Sequence, residues 1–206
     1  AGLAGDAFDA LARAVPITLS QISADAAQIE IEALAARAVT SEQHCRATIA
    51  RARLAGERHD EDALPLARQA LALAQELADP ALERRARRCL AVALHVDGAH
   101  AESLAIVEAL LADGQPAGPP EDLVPLTEMR SLLLAELGRR RESAALLLDS
   151  WRRAEREHDL VQTAEQASNA AIQLGYLCRP AQALELAEAS MRLDRQLGSE
   201  LSFAAV

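Results

Sequence analysis

Apolar positions in this chain keep a beat of 40 residues. Leu54, Leu94, Leu134 and Leu174 stand at that interval without a break, and a second column repeats it as Leu66, Ile106, Leu146 and Leu186. A third, looser column runs Leu64, Leu104, Ala144 and Leu184. The pairs Asp62-Ala63, Glu102-Ser103, Glu142-Ser143 and Gln182-Ala183 mark one point in each cycle. A fixed period of this size signals stacked supersecondary units, none of which can bury its apolar face alone. Each cycle holds two segments of helical spacing. In the second cycle these are 81–96 and 101–112, parted by Asp97-Gly98. Gly98 and Gly138 share a column where glycine can supply the positive φ that ends a helix. Arg58 and Cys178 fill that column in the outer cycles, so those two turns are expected to differ. Pro80, following Asp79, suits a first helical turn. The Gly- and Pro-rich stretch 114–120 is expected to be an exposed, mobile loop.

The pattern therefore predicts an all-α chain. Residues 41–206 divide into four helix pairs of 40 residues (41–80, 81–120, 121–160 and 161–200) and the start of a fifth. Residues 1–40 are expected to be helical as well. Phe8, Leu11 and Val15 share one face, Pro16 interrupts, and helical spacing resumes over 24–39. Two readings of that segment stand side by side: a degenerate repeat capping the stack, and a separate N-terminal helical segment.

Composition narrows the picture. Half of the residues are hydrophobic but only 2% are aromatic, so the core must be built from Ala and Leu, which lose little on entering a helix. A net charge of −10 argues against general nucleic-acid binding. Every basic residue is an arginine, which together with the surplus of Ala is read as codon bias rather than as selection for anion contacts. Cys45, Cys89 and Cys178 are an odd number without metal-type pairing, as in a reduced cytoplasmic protein. No apolar run approaches the ~20 residues that span a bilayer, and no signal peptide is visible. The chain does not start with Met, and Ser199 to Val206 opens a new apolar segment; it reads as a piece excised from a longer protein.

Chemistry needs groups held together, and the spacings do not provide it. His44 and Cys45 are neighbours, which on a helix point about 100° apart, and are read as surface residues. His95 and His100 are five apart across a turn, not the i,i+4 spacing of a helical metal pair. His158 closes a helix, where a histidine suits the negative end of the dipole. No CxxC, HExxH, P-loop or dinucleotide glycine motif occurs. The expectation is no catalysis, no cofactor and no metal. Two arginine clusters stand out, Arg84, Arg85, Arg87 and Arg88 early in the second cycle, and Arg139, Arg140 and Arg141 in a turn, followed by Arg152, Arg153 and Arg156. The turn cluster is read as a solvated face; for Arg85 and Arg88 an anion site remains open.

The helix pairs resemble tetratricopeptide (TPR) repeats in a long form of 40 residues, against the usual length of about 34. The resemblance rests on small residues at first-helix sites (Ala91, Ser131, Ala171) and at the family's alanine site in the second helix (Ala63, Ser103, Ser143, Ala183). It departs at Arg51, which stands where the first cycle should be small, and most of the family's Trp, Tyr and Pro are missing. The resemblance implies an α-α superhelix whose first helices line a concave face. The inward positions are then Arg85, Arg88, Val92 and His95 in cycle two, Glu128, Leu132 and Glu136 in cycle three, and Glu165, Ser168, Asn169, Ile172 and Tyr176 in cycle four. The family's carboxylate-gripping Asn column reads Ile49, Cys89, Met129 and Asn169, a single match, so that mode is not expected. The implied function is non-catalytic binding of a protein or peptide segment, with no nucleic acid and no membrane as partner. An acidic segment would meet Arg85 and Arg88. The alternative, by texture alone, is a regulatory N-terminal part of a bacterial signalling protein such as a diguanylate cyclase or transcriptional activator. With a fifth cycle incomplete, Leu184, Leu186 and Met191 would lose cover, and homo-oligomerisation through Leu201, Phe203 and Val206 is expected.

Overall fold

A computed structural model describes residues 8–12, 14–15, 24–113 and 126–198. The loop expected at 114–120 and the C-terminal contact expected at Leu201, Phe203 and Val206 lie outside the described residues. The chain divides into two compact units, Ala1–Leu126 and Thr127–Val206. The first holds α1 (helical at 8–12 and 14–15), α2 (Ala24–Arg37), α3 (Ser41–Arg58), α4 (Ala63–Glu76), α5 (Pro80–Val96) and α6 (His100–Ala112). The second is built of α7 (Leu126–Glu136), α8 (Arg140–Glu157), α9 (Leu160–Tyr176) and α10 (Pro180–Leu197). Among the described residues there is no strand.

Short polar residues cap the start of three helices, and left-handed residues stop seven of them. Thr40 and Gln43 form a reciprocal capping box, and Asp79 and Asp159 cap the first backbone N–H groups of α5 and α9. Positive φ occurs at His59, Ala78, Gly98, Gly138, His158, Cys178 and Gly198. Each closes a helix, and after all but Gly198 the following N–H reaches back to a carbonyl five residues earlier, as in Ala99 to Leu94, Arg139 to Leu134 and Arg179 to Leu174. Cys178 thus takes the same turn as Gly98 and Gly138, at φ 56°, against the expectation that its turn differs.

The turn at Arg58 does differ. The left-handed residue there is His59, so 39 residues separate it from Gly98, while 40 separate Gly98 from Gly138. The equivalent back-bond ends on Ala55, not on Leu54. Helix α3 therefore runs one residue out of step with the 40-residue count. This resolves Arg51: it is exposed, and Ala52, 1% exposed, fills the small site matching the buried Ala91. All four leucines of the leading column are buried, but only Leu94, Leu134 and Leu174 are equivalent; Leu54 matches Ala93. The slip ends in the turn that follows, because Ala63 and Ala67 of α4 align at 40 with the buried Ser103 and Val107 of α6.

The cores are as the composition requires. In the first unit Cys45, Ile49, Ala70, Ala74, Leu82 and Ala86 join α3, α4 and α5, and Ala52, Ala55, Ala63, Ala67 and Ala93 make a second cluster. Phe8 packs on Leu34 and Ala47, and Val15 on Ala27, Ile31 and Leu54. The Arg46 guanidinium lies over the Phe8 ring and pairs with Asp9, while Arg58 reaches Asp25 and Gln28 of α2. In the second unit Leu147, Ala167, Ala170, Ala171, Leu174 and Leu186 form the core of α8, α9 and α10. The two small columns meet inside each pair. Ser103 Oγ donates to the Ala91 carbonyl at 2.7 Å, and the Ser131 and Ser143 hydroxyls bond at 2.8 Å. Side chains this small let helices cross closely while each of these three buried hydroxyls keeps a partner. Leu184 is 61% exposed, as expected, whereas Leu186 is buried because it turns inward onto α9.

Candidate functional site

In the second unit the outward surface of α7 and α9 carries the expected positions. Leu132 and Ile172 are nearly half exposed, Tyr176 more so, and Glu136 and Glu165 are exposed. Ser168 and Asn169 are half-buried beside them. The helices are joined there by Gln166, itself buried, whose Nε2 donates to Glu128 Oε1 at 2.5 Å. Burial raises the Glu128 carboxyl above the ordinary range, opposed by that hydrogen bond. Glu165 is raised by partial burial first and then by repulsion from Glu128, Asp159 and Asp194, with Gln162 opposing. Its surface is largely open to water, so the effect carries less weight than at Glu128. Arg140 lies 4.2 Å over the Tyr176 ring and donates to Gln173, fixing the aromatic edge of the face. Gln166 carried no signal in the sequence: a glutamine within a run of alanines reads as a surface residue.

The first unit treats its candidates differently. Val92 is half-buried and packs on Gly56 of α3, where an added Cβ would lie 3.1 Å from Val92 Cγ1. Arg85 and Arg88 are both half-buried. Arg85 lies on the side of Cys45, whose thiol is pushed up by burial and by Asp79, and held back by Arg85. Arg84 and Arg87 pair with Asp113 and Glu83. Cys45 is fully buried, not a surface residue, and its Sγ contacts the Ala70 carbonyl. His95 and His100, kept apart by their spacing in sequence, are brought together by the turn, with Nδ1 atoms 3.2 Å apart.

The remaining charge clusters are solvated. Arg139 grips Glu142 through two bonds of 2.7 Å, and Arg152 pairs with Asp149. Burial is absent at Glu142, whose carboxyl is held low by the Arg139 bond. Among the described residues no group of three or more His, Cys, Asp or Glu is placed to hold a metal ion, and no helix is long and apolar enough to cross a membrane.

No family model matches the chain, and no curated protein is similar to it in sequence. Solved structures are similar in fold. Two crystal structures of nearly identical TPR-like repeats from a putative kinesin light chain of Podosopora anserina, one of them a point variant, superpose with TM-scores of 0.66 and 0.65. Each shares 16% identity and covers 92% of this chain and 95% of its own. At that identity the likeness speaks of fold alone, and together with the paired helices, the small crossing residues and the recurrent left-handed turns it makes this an all-α chain of TPR-like repeat fold.

Proposed function

We propose that the chain is a non-catalytic repeat module that binds a protein segment, and that the outward face of α7 and α9 is where it does so. The observation that carries this reading is the pairing of open apolar side chains with acids on one face. Leu132 shares α7 with Glu128 and Glu136 at i,i+4 spacing, Ile172 and Tyr176 share α9 with Glu165 at helical spacing, and Gln166 of α9 bonds Glu128 of α7. Exposed apolar side chains of this size, placed together, are common at interaction sites. The carboxylates choose the partner by charge: a segment with Lys or Arg flanking apolar anchors, in the helix-in-groove or extended mode. Arg85, Arg88 and His95 belong to the first unit; the acidic segment expected to meet the two arginines is a separate proposal that their half-burial supports less well. The TPR-like fold supports a binding role in general, because such stacks present rows of helices rather than convergent catalytic groups.

Fluorescence anisotropy with a labelled basic amphipathic peptide and its acid-for-base counterpart tests the reading. The basic peptide is expected to bind and to weaken as salt rises, since exposed charges are screened within ~10 Å at 0.1 M. Replacing Leu132, Ile172 and Tyr176 together by Ala should abolish binding. Equal binding of both peptides, or indifference to the triple change, would overturn it.

A further inference from the structure

The turn that closes α5 brings two imidazoles together edge to edge. His95 sits in the last turn of α5 and His100 is the first residue of α6, with Gly98 in the left-handed conformation between them. The Gly98 N–H donates to the His95 carbonyl and the Ala99 N–H to that of Leu94, so both rings hang from a hydrogen-bonded frame. Their Nδ1 atoms are 3.2 Å apart, the ring centroids 5.2 Å apart and the planes tilted by 46°. Both residues are half-buried, leaving an edge open to solvent.

From these distances we propose that His95 and His100 form a two-histidine site for a divalent transition metal of the imidazole-preferring class. With metal–nitrogen bonds of about 2.05 Å, the observed separation subtends roughly 100° at a metal, close to a tetrahedral angle. The same construction puts ring centroids about 5.0 Å apart, close to the observed 5.2 Å. The bite thus exists before any metal arrives. With no third protein ligand gathered among the described residues, water completes the coordination. Copper(II) binds most tightly at such a site, with nickel and zinc behind it. Without metal, a Nδ1–H of one ring donates to the other Nδ1. With metal, both rings carry their proton on Nε2, and any ring protonated beforehand releases one proton to solvent. Protons and metal therefore compete for the same two nitrogens. Because the ligands come from α5 and α6, the metal would pin one helix pair together at its turn.

Calorimetric titration of the 206-residue chain with copper(II) chloride in a non-chelating buffer tests this. One tight equivalent per chain is expected, weakened at least tenfold by His95→Gln and by His100→Gln, each of which leaves a lone imidazole. The exposed His158→Gln should leave it unchanged. Circular dichroism checks that the variants fold. A tight equivalent surviving in both variants, or wild-type binding no tighter than either, overturns the proposal. Nitrogen-15 spectra of the wild-type rings under zinc decide it without any variant. Nδ1 of His95 and His100 should shift together, and shifts confined to His44, His59 or His158 contradict the site.

Discussion

Four helix-ending positions hold a side chain where backbone geometry asks for glycine. His59, Ala78, His158 and Cys178 all have φ between 50° and 58°, while Gly98, Gly138 and Gly198 serve the same role without a Cβ. The left-handed conformation costs an L-residue roughly 1–2 kcal/mol. Ala78→Gly and Cys178→Gly should therefore each stabilise the fold by about 1 kcal/mol, and Gly138→Ala should destabilise it by a similar amount. Denaturant midpoints compare the three directly. A second residue-scale expectation concerns Glu128. Its folded-state pKa is raised, so the folded chain binds more protons than the unfolded one between the two values. Ionising Glu128 thus costs stability above its folded pKa, and the cost is relieved as pH falls through that window. Glu128→Gln should stabilise the chain at neutral pH, and its advantage should shrink toward acid pH. Stability curves of the two proteins from pH 7 to pH 4 that stay parallel would contradict this.

At the scale of helices, most of the fold is legible in the sequence, and the exceptions have a local cause. The 40-residue beat is correct for α5 to α10 because the αL turns recur at Gly98, Gly138 and Cys178. It misplaces α3 because the turn between α3 and α4, counted from His59 to Ala63, is one residue shorter than that between α5 and α6, from Gly98 to Ser103. The coincidence of Leu54 with the leucine column hides the slip. The telling signal was Arg51, a charged residue in a column of small ones. Substitutions separate the two registers. Ala52→Leu should destabilise by roughly 1–3 kcal/mol through overpacking, while Arg51→Leu, at an exposed site, should stay within about 0.5 kcal/mol. Leu134→Ala, at a buried site of the column, should cost about 2–5 kcal/mol. Chemical denaturation of these three variants is the check, and a costly Arg51→Leu beside a harmless Ala52→Leu would restore the uniform count. What the sequence could not show is contact across a turn. His95 and His100 were judged by the spacing of a continuous helix, but the chain reverses between them.

For the whole molecule, the net charge of −10 is not spread evenly over its candidate surfaces. Acids concentrate beside open apolar side chains on α7 and α9, while the arginines of α5 are half-buried and partly paired with Asp113 and Glu83. Of the positions that the resemblance to TPR repeats implied, Leu132, Ile172 and Tyr176 are exposed on α7 and α9, and Glu128 is half-buried beside Gln166. The resemblance could not say that Val92 packs on α3 or that Gln166 ties Glu128 down, because burial depends on neighbours brought close by folding. The α7 and α9 face is proposed to capture a basic, apolar-anchored segment. Amide chemical-shift mapping of the labelled chain during titration with such a peptide tests it most directly. The account predicts shifts gathered at Glu128, Leu132, Glu165, Ile172 and Tyr176. Shifts centred instead on α10 around Leu184, or on the arginines of α8, would contradict it.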